Sequence, residues 1–140
     1  MIRFFALFLS FFLLQSVSFA KEKVKVEVLA KSTKSWNGNV LPPYPSGQPQ
    51  IMILKITIPP HYKLPMHEHP VINAGVMLSG ELTVITQSGK VLHLKKGDSI
   101  IEVVDTWHYG INETDKPAII IVFYAGTKDQ KITILKSTKK

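Results

Sequence analysis

The stretch LPMHEHP, residues 64–70, decides how this chain is interpreted. His67 and His69 are one residue apart, and on a β-strand the side chains of residues i and i+2 leave the same face. Their Cα atoms are then about 6.6 Å apart, so two imidazoles can converge on one cation. Neutral imidazole is a good ligand for Zn, Cu, Fe and Ni. The stretch therefore predicts two metal ligands on a strand, and a third has to come from elsewhere in the chain.

On both sides of this stretch the chain has the pattern of short strands separated by turns. β-Branched and apolar residues predict strands at residues 24–28, 51–58, 71–78, 81–86, 91–95, 99–104, 107–111, 118–125 and 132–135. No window shows a sustained helical period. Strands at this spacing, with glycine and proline between them, are typical of an all-β sandwich or barrel, and a jelly roll is one such fold.

A long irregular segment, residues 32–50, is predicted to be an ordered loop because proline and glycine interrupt any periodic pattern. It contains Trp36 and Tyr44. These aromatic side chains are expected to pin the loop to the surface, and a lid over a pocket is the alternative.

The first twenty residues have the layout of a secretory signal peptide. One basic residue, Arg3, precedes an apolar run at residues 4–14 and a small, polar stretch that ends at Ala20. The run is short for a membrane span, which needs about 20 apolar residues. We expect cleavage after Ala20, which leaves residues 21–140 as one periplasmic or secreted domain without a stable membrane anchor; an uncleaved anchor is the alternative.

Charge and cysteine content narrow the function classes. The formal net charge is +7, and much of the excess lies near the two ends of the chain. No basic helix or basic stripe with interleaved aromatic residues is present, so nucleic-acid binding is not expected. The chain has no cysteine, so disulfides do not hold an exported fold together and sheet packing has to do so.

The third ligand has to be sought among the remaining histidines. His108 lies on the predicted strand 107–111, which can run beside the strand of His67 and His69. His61 lies in a proline-flanked turn and is expected to be a loop residue. His93 alternates with two leucines, so it is expected to face solvent or a neighbouring strand.

At this point the chain resembles the cupin family, whose two motifs occur here in order. The first motif is Gly, five residues, His-x-His, three or four residues, Glu, six residues and Gly. The second is Gly, five residues, Pro, one residue, Gly, two residues, His, three residues and Asn. The matching residues, all at the family's spacing, are His67, His69, Gly80, Gly97, His108 and Asn112, and the departures are His61, Asn73, Val103 and Asp105.

The resemblance implies a cupin-type jelly-roll barrel that holds a metal through His67, His69 and His108. Asn73 stands where the family has its glutamate. It has the strand parity of His69 and is expected to point inward near the metal, as a neutral and weaker donor. Iron is the first expectation for the metal, with Mn, Ni, Cu or Zn as alternatives.

Function follows from the open coordination positions that three histidines would leave. Three neutral histidines suffice for a catalytic cation, and family members of this kind include oxygen-activating dioxygenases. We therefore expect a dioxygenase-like oxidation of a small organic substrate; the alternative is a non-catalytic cupin that binds a small molecule or metal. Cupins often pair through an edge strand, so residues 24–28 make a homodimer a further expectation.

Other polar residues near the two motifs have less direct roles. Glu68 has the opposite parity to its histidine neighbours and should point away from a metal. Glu102 is expected to form a salt bridge at the rim, or to hydrogen-bond a ligand histidine. Tyr124 is expected at the edge of the core, although its hydroxyl could face a pocket. Gly80 and Asn112 are expected to serve turns.

Overall fold

The structure is a computed structural model that describes residues 23–137. Its strands are β1 Pro49–Ile58, β2 Tyr62–Lys63, β3 His67–Glu68, β4 Ile72–Ser79, β5 Glu81–Thr86, β6 Val91–Lys95, β7 Ser99–Ile101, β8 His108–Asn112, β9 Ala118–Thr127 and β10 Ile134–Leu135. The predicted signal peptide lies outside the described residues. None of residues 23–137 forms a helix of the length and apolarity that a membrane crossing requires.

The strands form two antiparallel sheets. One has four strands in the order β1-β9-β4-β7, and the other has six in the order β10-β3-β8-β5-β6, with β2 also paired to β8. The ladders in the described residues do not join the two sheets into a closed cylinder. Sheet composition and order are those of an all-β jelly roll, which confirms the predicted fold class.

The core lies between the sheets because alternate residues of each strand turn inward. Along β9 the buried residues are Ala118, Ile120, Val122 and Tyr124, every second position of the strand. β4 pairs with β9 and has the same alternation, which places Met77 in the core. The same parity places Asn73 inward, as predicted.

The prediction of a strand at residues 24–28 is wrong. These residues form no strand, and Val24, Val26 and Val28 are 93%, 84% and 71% exposed. Alternation marks a segment that suits a sheet, but ladder hydrogen bonds need a partner strand, and this segment pairs with no other described residue. One strand, β2, was also missed, and the strand predicted for His67 and His69 is only β3, which ends at Glu68, one residue before His69. Each has only two residues, and prolines nearby hide the periodic signal.

Trp36 holds the long loop against the sheets. Its backbone N–H donates to the Ile101 carbonyl at 2.9 Å, and its ring packs against the core. Tyr44 is 79% exposed and anchors nothing. The expectation that aromatic residues pin this loop therefore holds for Trp36 and is wrong for Tyr44.

The predicted turn role of Gly80 is confirmed. Its φ is +72°, a conformation that glycine adopts at low cost, and a Cβ at this position would lie 2.5 Å from the Pro117 carbonyl oxygen. The turn between β4 and β5 therefore needs a residue without a side chain.

Candidate metal centre

Three histidines meet between the sheets. His67 on β3 and His108 on β8 are direct cross-strand partners, and His69 follows two residues after His67. The ring centroids are 4.4 Å apart for His67 and His108, 4.9 Å for His67 and His69, and 5.1 Å for His69 and His108. One ring nitrogen from each lies within 4.8 Å of the others. The structure thus brings together the three residues that the sequence singled out.

Hydrogen bonds set which nitrogen of each ring is available. Every one of the three Nδ1 atoms lies beside a backbone carbonyl, which can only accept, so Nδ1 carries the proton and Nε2 keeps its lone pair. The carbonyls are those of Pro65 for His67 at 2.8 Å, Ile132 for His69 at 2.7 Å and Thr106 for His108 at 2.8 Å. Three Nε2 atoms are therefore left for a metal.

Burial keeps these rings neutral. Desolvation lowers the pKa of His69 to about 4, against a smaller opposing effect of the Ile132 carbonyl. Desolvation also lowers the pKa of His67 and of His108, and each is partly opposed by a carbonyl hydrogen bond. Neutral imidazole is the form that binds metal, so no proton has to be displaced at pH 7.

Acid should destabilise the metal-free protein in a defined window. His69 has a pKa of about 4 when folded and about 6.5 when unfolded, so the unfolded chain takes up more protons between these values. Stability is retained above pH 6.5 and falls as the pH drops to about 4, by about 3 kcal/mol from this residue. Urea unfolding at pH 7, 5.5 and 4.5 measures this loss.

The control for this pH series is His69→Gln, which removes the titrating ring. The variant should lose distinctly less stability than the wild type between pH 6.5 and 4.5. Equal pH dependence in the two proteins would contradict the assignment to His69.

The three histidines line a cavity of about 250 Å³. This volume lies just below the range of about 300–1,000 Å³ that is typical of ligand sites, which suits a small organic molecule. Its walls are mostly aliphatic side chains from both sheets, including Leu54, Ile56, Leu64, Leu82, Val84, Ile100, Ile120 and Val122. A few polar groups in an apolar cavity are the usual composition of a ligand site.

Asn73 lines this cavity from the opposite sheet. It is buried on β4, and its amide nitrogen donates to the Val71 carbonyl at 3.3 Å. Its role as a metal ligand stays a prediction.

The expectation that Glu102 forms a salt bridge at the rim is wrong. The side chain is buried and lines the cavity. Its Oε1 accepts hydrogen bonds from Trp36 Nε1 at 2.7 Å and from the Val103 backbone N–H at 2.8 Å. Its Oε2 lies 3.7 Å from Nε2 of His108, which is too long for the hydrogen bond offered as the alternative.

Burial raises the pKa of the Glu102 carboxyl, although its two hydrogen bonds oppose the shift. A sequence signal for this position did exist, since Glu102 shares strand parity with Ile100, and both residues are buried.

The remaining polar residues lie where they were expected. His61 is an exposed loop residue whose Nε2 is 2.8 Å from Asp115. His93 is exposed on β6 and contacts Thr83 on the neighbouring strand at 3.0 Å. Glu68 does not line the cavity.

Tyr124 is a wall of the site. Its ring lies edge-on to His69, with centroids 5.4 Å apart, and the residue is buried beside the cavity. Burial raises the pKa of its hydroxyl to about 12, and the Glu102 charge acts in the same direction. Tyr124 is therefore a neutral hydrogen-bonding group at pH 7.

The donors fit a divalent transition metal. Neutral imidazole nitrogens suit Zn, Cu, Fe and Ni. Two atoms that bind one cation at about 2.1 Å each are at most about 4.2 Å apart, and the three nitrogens, within 4.8 Å of one another, come close to that limit. The three histidines are thus positioned to bind a metal.

Known structures share this fold. The lyase DddQ from Ruegeria pomeroyi DSS-3, which acts on DMSP, matches at 20% identity and a TM-score of 0.54 over 61% of this chain and 42% of its own. An uncharacterised protein with a double-stranded β-helix domain from Klebsiella pneumoniae subsp. pneumoniae MGH 78578 matches at 24% identity and a TM-score of 0.52. The match covers 67% of this chain and 90% of that protein. An oxalate oxidase bound to the substrate analogue glycolate matches at 18% identity and a TM-score of 0.51. The match covers 61% of this chain and 45% of the oxidase.

These likenesses show the fold alone, and the chain spans less than half the length of the two enzymes. No curated protein sequence matches the chain. The family model for the cupin domain matches residues 54–124, which include both strands that carry the histidines. The chain belongs to the cupin family.

Proposed function

We propose that this protein binds one divalent transition metal through His67, His69 and His108, and that it oxidises a small organic substrate with O2. Iron is the metal we expect first. The convergence of three imidazole nitrogens, within 4.8 Å of one another in a largely apolar cavity, carries the proposal. The metal supplies Lewis-acid and redox chemistry when bound.

The chain's own residues have separate tasks in this proposal. The histidines hold the metal through nitrogens that are already deprotonated. The aliphatic walls keep water away from the reacting atoms, which strengthens every polar contact inside the cavity. Asn73 and Tyr124 offer polar groups that can orient a substrate. A cavity of about 250 Å³ suits small organic molecules, so catechols, small thiols and flavonoids are the substrate classes to test.

The test combines metal analysis with an oxygen electrode. Purified protein is reconstituted with iron, its metal content is measured, and O2 uptake is followed with catechols, with small thiols and with a flavonoid. Stoichiometric iron with substrate-dependent O2 uptake is the expected result. Absence of stoichiometric metal would overturn the proposal.

The second candidate is a non-catalytic binding protein. The substitution of Asn73 for the family's glutamate favours it, because the amide removes a negative charge from the site. Stoichiometric metal and a tightly bound small molecule, without O2 uptake for any substrate class, would support this function.

We also propose that the protein is exported, on the basis of the layout of residues 1–20. Intact-mass measurement of the protein from a cell fraction outside the cytoplasm should show a chain that begins at Lys21. A chain that retains residues 1–20 would contradict cleavage.

A homodimer is the proposed assembly. Residues 24–28 have a strand-like pattern and exposed valines, and β1 is an edge of its sheet, so the segment of one copy can add to an edge of another. Size-exclusion chromatography with light scattering tests this, and a monomer at high concentration would reject it.

A further inference from the structure

We propose that Glu102 provides the carboxylate ligand that the first motif lacks, moved from position 73 to the neighbouring strand. The inference rests on the proposed function, since it concerns the same metal. It assigns a fourth protein ligand beyond the three histidines.

The register of the sheet places the two positions side by side. β4 and β7 are antiparallel, with Ala74 opposite Ile101. One step further, the Glu102 backbone N–H donates to the Asn73 carbonyl at 3.0 Å. Residues directly opposite in an antiparallel pair project their side chains from the same face. Glu102 therefore presents its carboxylate to the cavity beside the amide of Asn73.

The carboxylate is held with one oxygen free for a ligand. Trp36 and Val103 both donate to Oε1, and these bonds fix the orientation of the group. Oε2 receives neither bond and lies 3.7 Å from Nε2 of His108, the nitrogen left for the metal. This separation is below the limit of about 4.2 Å for two atoms that share one cation.

Burial of this carboxylate calls for a cation. A buried carboxyl without a positive partner favours its neutral form, and it stays ionised when it is paired or coordinates a metal. In the described part of the chain no lysine lies within ion-pair distance of Glu102, and the nearest basic side chain is His108. A divalent cation held by the three histidines would supply the missing positive charge.

Cobalt binding tests the proposal, because the visible spectrum of Co(II) reports its coordination. Glu102→Gln keeps the shape of the side chain and removes its charge. We expect it to lower cobalt affinity in a chelator competition by more than about 100-fold, which exceeds the loss for a partner that only orients a ligand, and to change the spectrum. The double variant Glu102→Gln/Asn73→Glu returns a carboxylate to the opposite position and should recover affinity at least tenfold. The matched control is Glu81→Gln on the exposed face of β5, which should bind cobalt like the wild type.

The outcomes separate this inference from the proposed function. If wild-type protein binds no stoichiometric cobalt, the three-histidine centre itself is refuted. If the wild type binds cobalt and Glu102→Gln leaves affinity and spectrum unchanged, only the fourth ligand is refuted, and Glu102 serves to anchor Trp36. Should Glu102→Gln fail to fold, Glu102→Asp replaces it in the test. Asp keeps the charge but its side chain is one methylene shorter, so its carboxylate lies farther from the metal, and we again expect lower cobalt affinity and a changed spectrum.

Discussion

Replacing His108 with alanine should abolish stoichiometric metal binding and leave the sheets folded. The residue is only 2% exposed, and its ring centroid lies 4.4 Å from that of His67 and 5.1 Å from that of His69, so alanine removes one of the three converging nitrogens. Loss of a partner that merely orients a ligand costs about 10–100-fold in affinity, and loss of a ligand should exceed this. His67→Ala should behave in the same way.

Metal analysis after dialysis and thermal unfolding with and without metal measure this effect. Metal at 100 times its Kd adds about 2.7 kcal/mol to the stability of a protein that binds it, so the wild type should show a raised Tm and His108→Ala should not. His93→Ala, an exposed histidine outside the site, is the matched control and should respond like the wild type. Stoichiometric metal in both ligand variants would refute the proposed coordination.

Asn112→Ala should produce a large loss of stability although the residue lies outside the metal centre. Asn112 is fully buried at the end of β8. Its amide nitrogen donates to three backbone carbonyls, those of Ile58, Pro59 and Lys116, and its oxygen accepts from the N–H and hydroxyl of Thr114. One side chain thus joins the end of β1 to the turn before β9.

Alanine at this position would leave several buried backbone groups without partners. Each such group costs about 1–3 kcal/mol, and some relaxation is expected, so we expect a loss of about 3 kcal/mol. With a urea m-value of about 2 kcal/mol/M, the unfolding midpoint should fall by about 1.5 M.

The matched control for Asn112 is Asn37→Ala. Its side-chain oxygen accepts one exposed hydrogen bond, from the Asn39 backbone N–H, so its loss should cost under about 1 kcal/mol. Similar midpoints for the two variants would show that the buried network contributes little.

Much of the fold could be predicted because each strand carries its own alternation. The predicted bounds of β5 and β6 agree with the structure, since apolar residues at every second position report directly which face is buried. The same parity argument placed His67, His69 and Asn73 on inward faces. The motif spacing added His108 as a candidate, and the structure brings its ring to the other two.

Which residues lie opposite one another on neighbouring strands could not be predicted in this way. Parity with Ile100 indicates that Glu102 faces inward, but it does not indicate what lies opposite. Only the pairing of Glu102 with Asn73, one residue beyond β7, puts its carboxylate beside Asn73 and near His108. The alternation of residues 24–28 likewise predicted a strand that forms no ladder with any described residue.

The chain's local patterns therefore determine which segments can be strands and which side each residue faces, because these properties depend on neighbours two residues away. Which strands pair, and at what register, depends on contacts between residues far apart in the chain. Only the folded structure decides this, and with it which polar groups share the cavity.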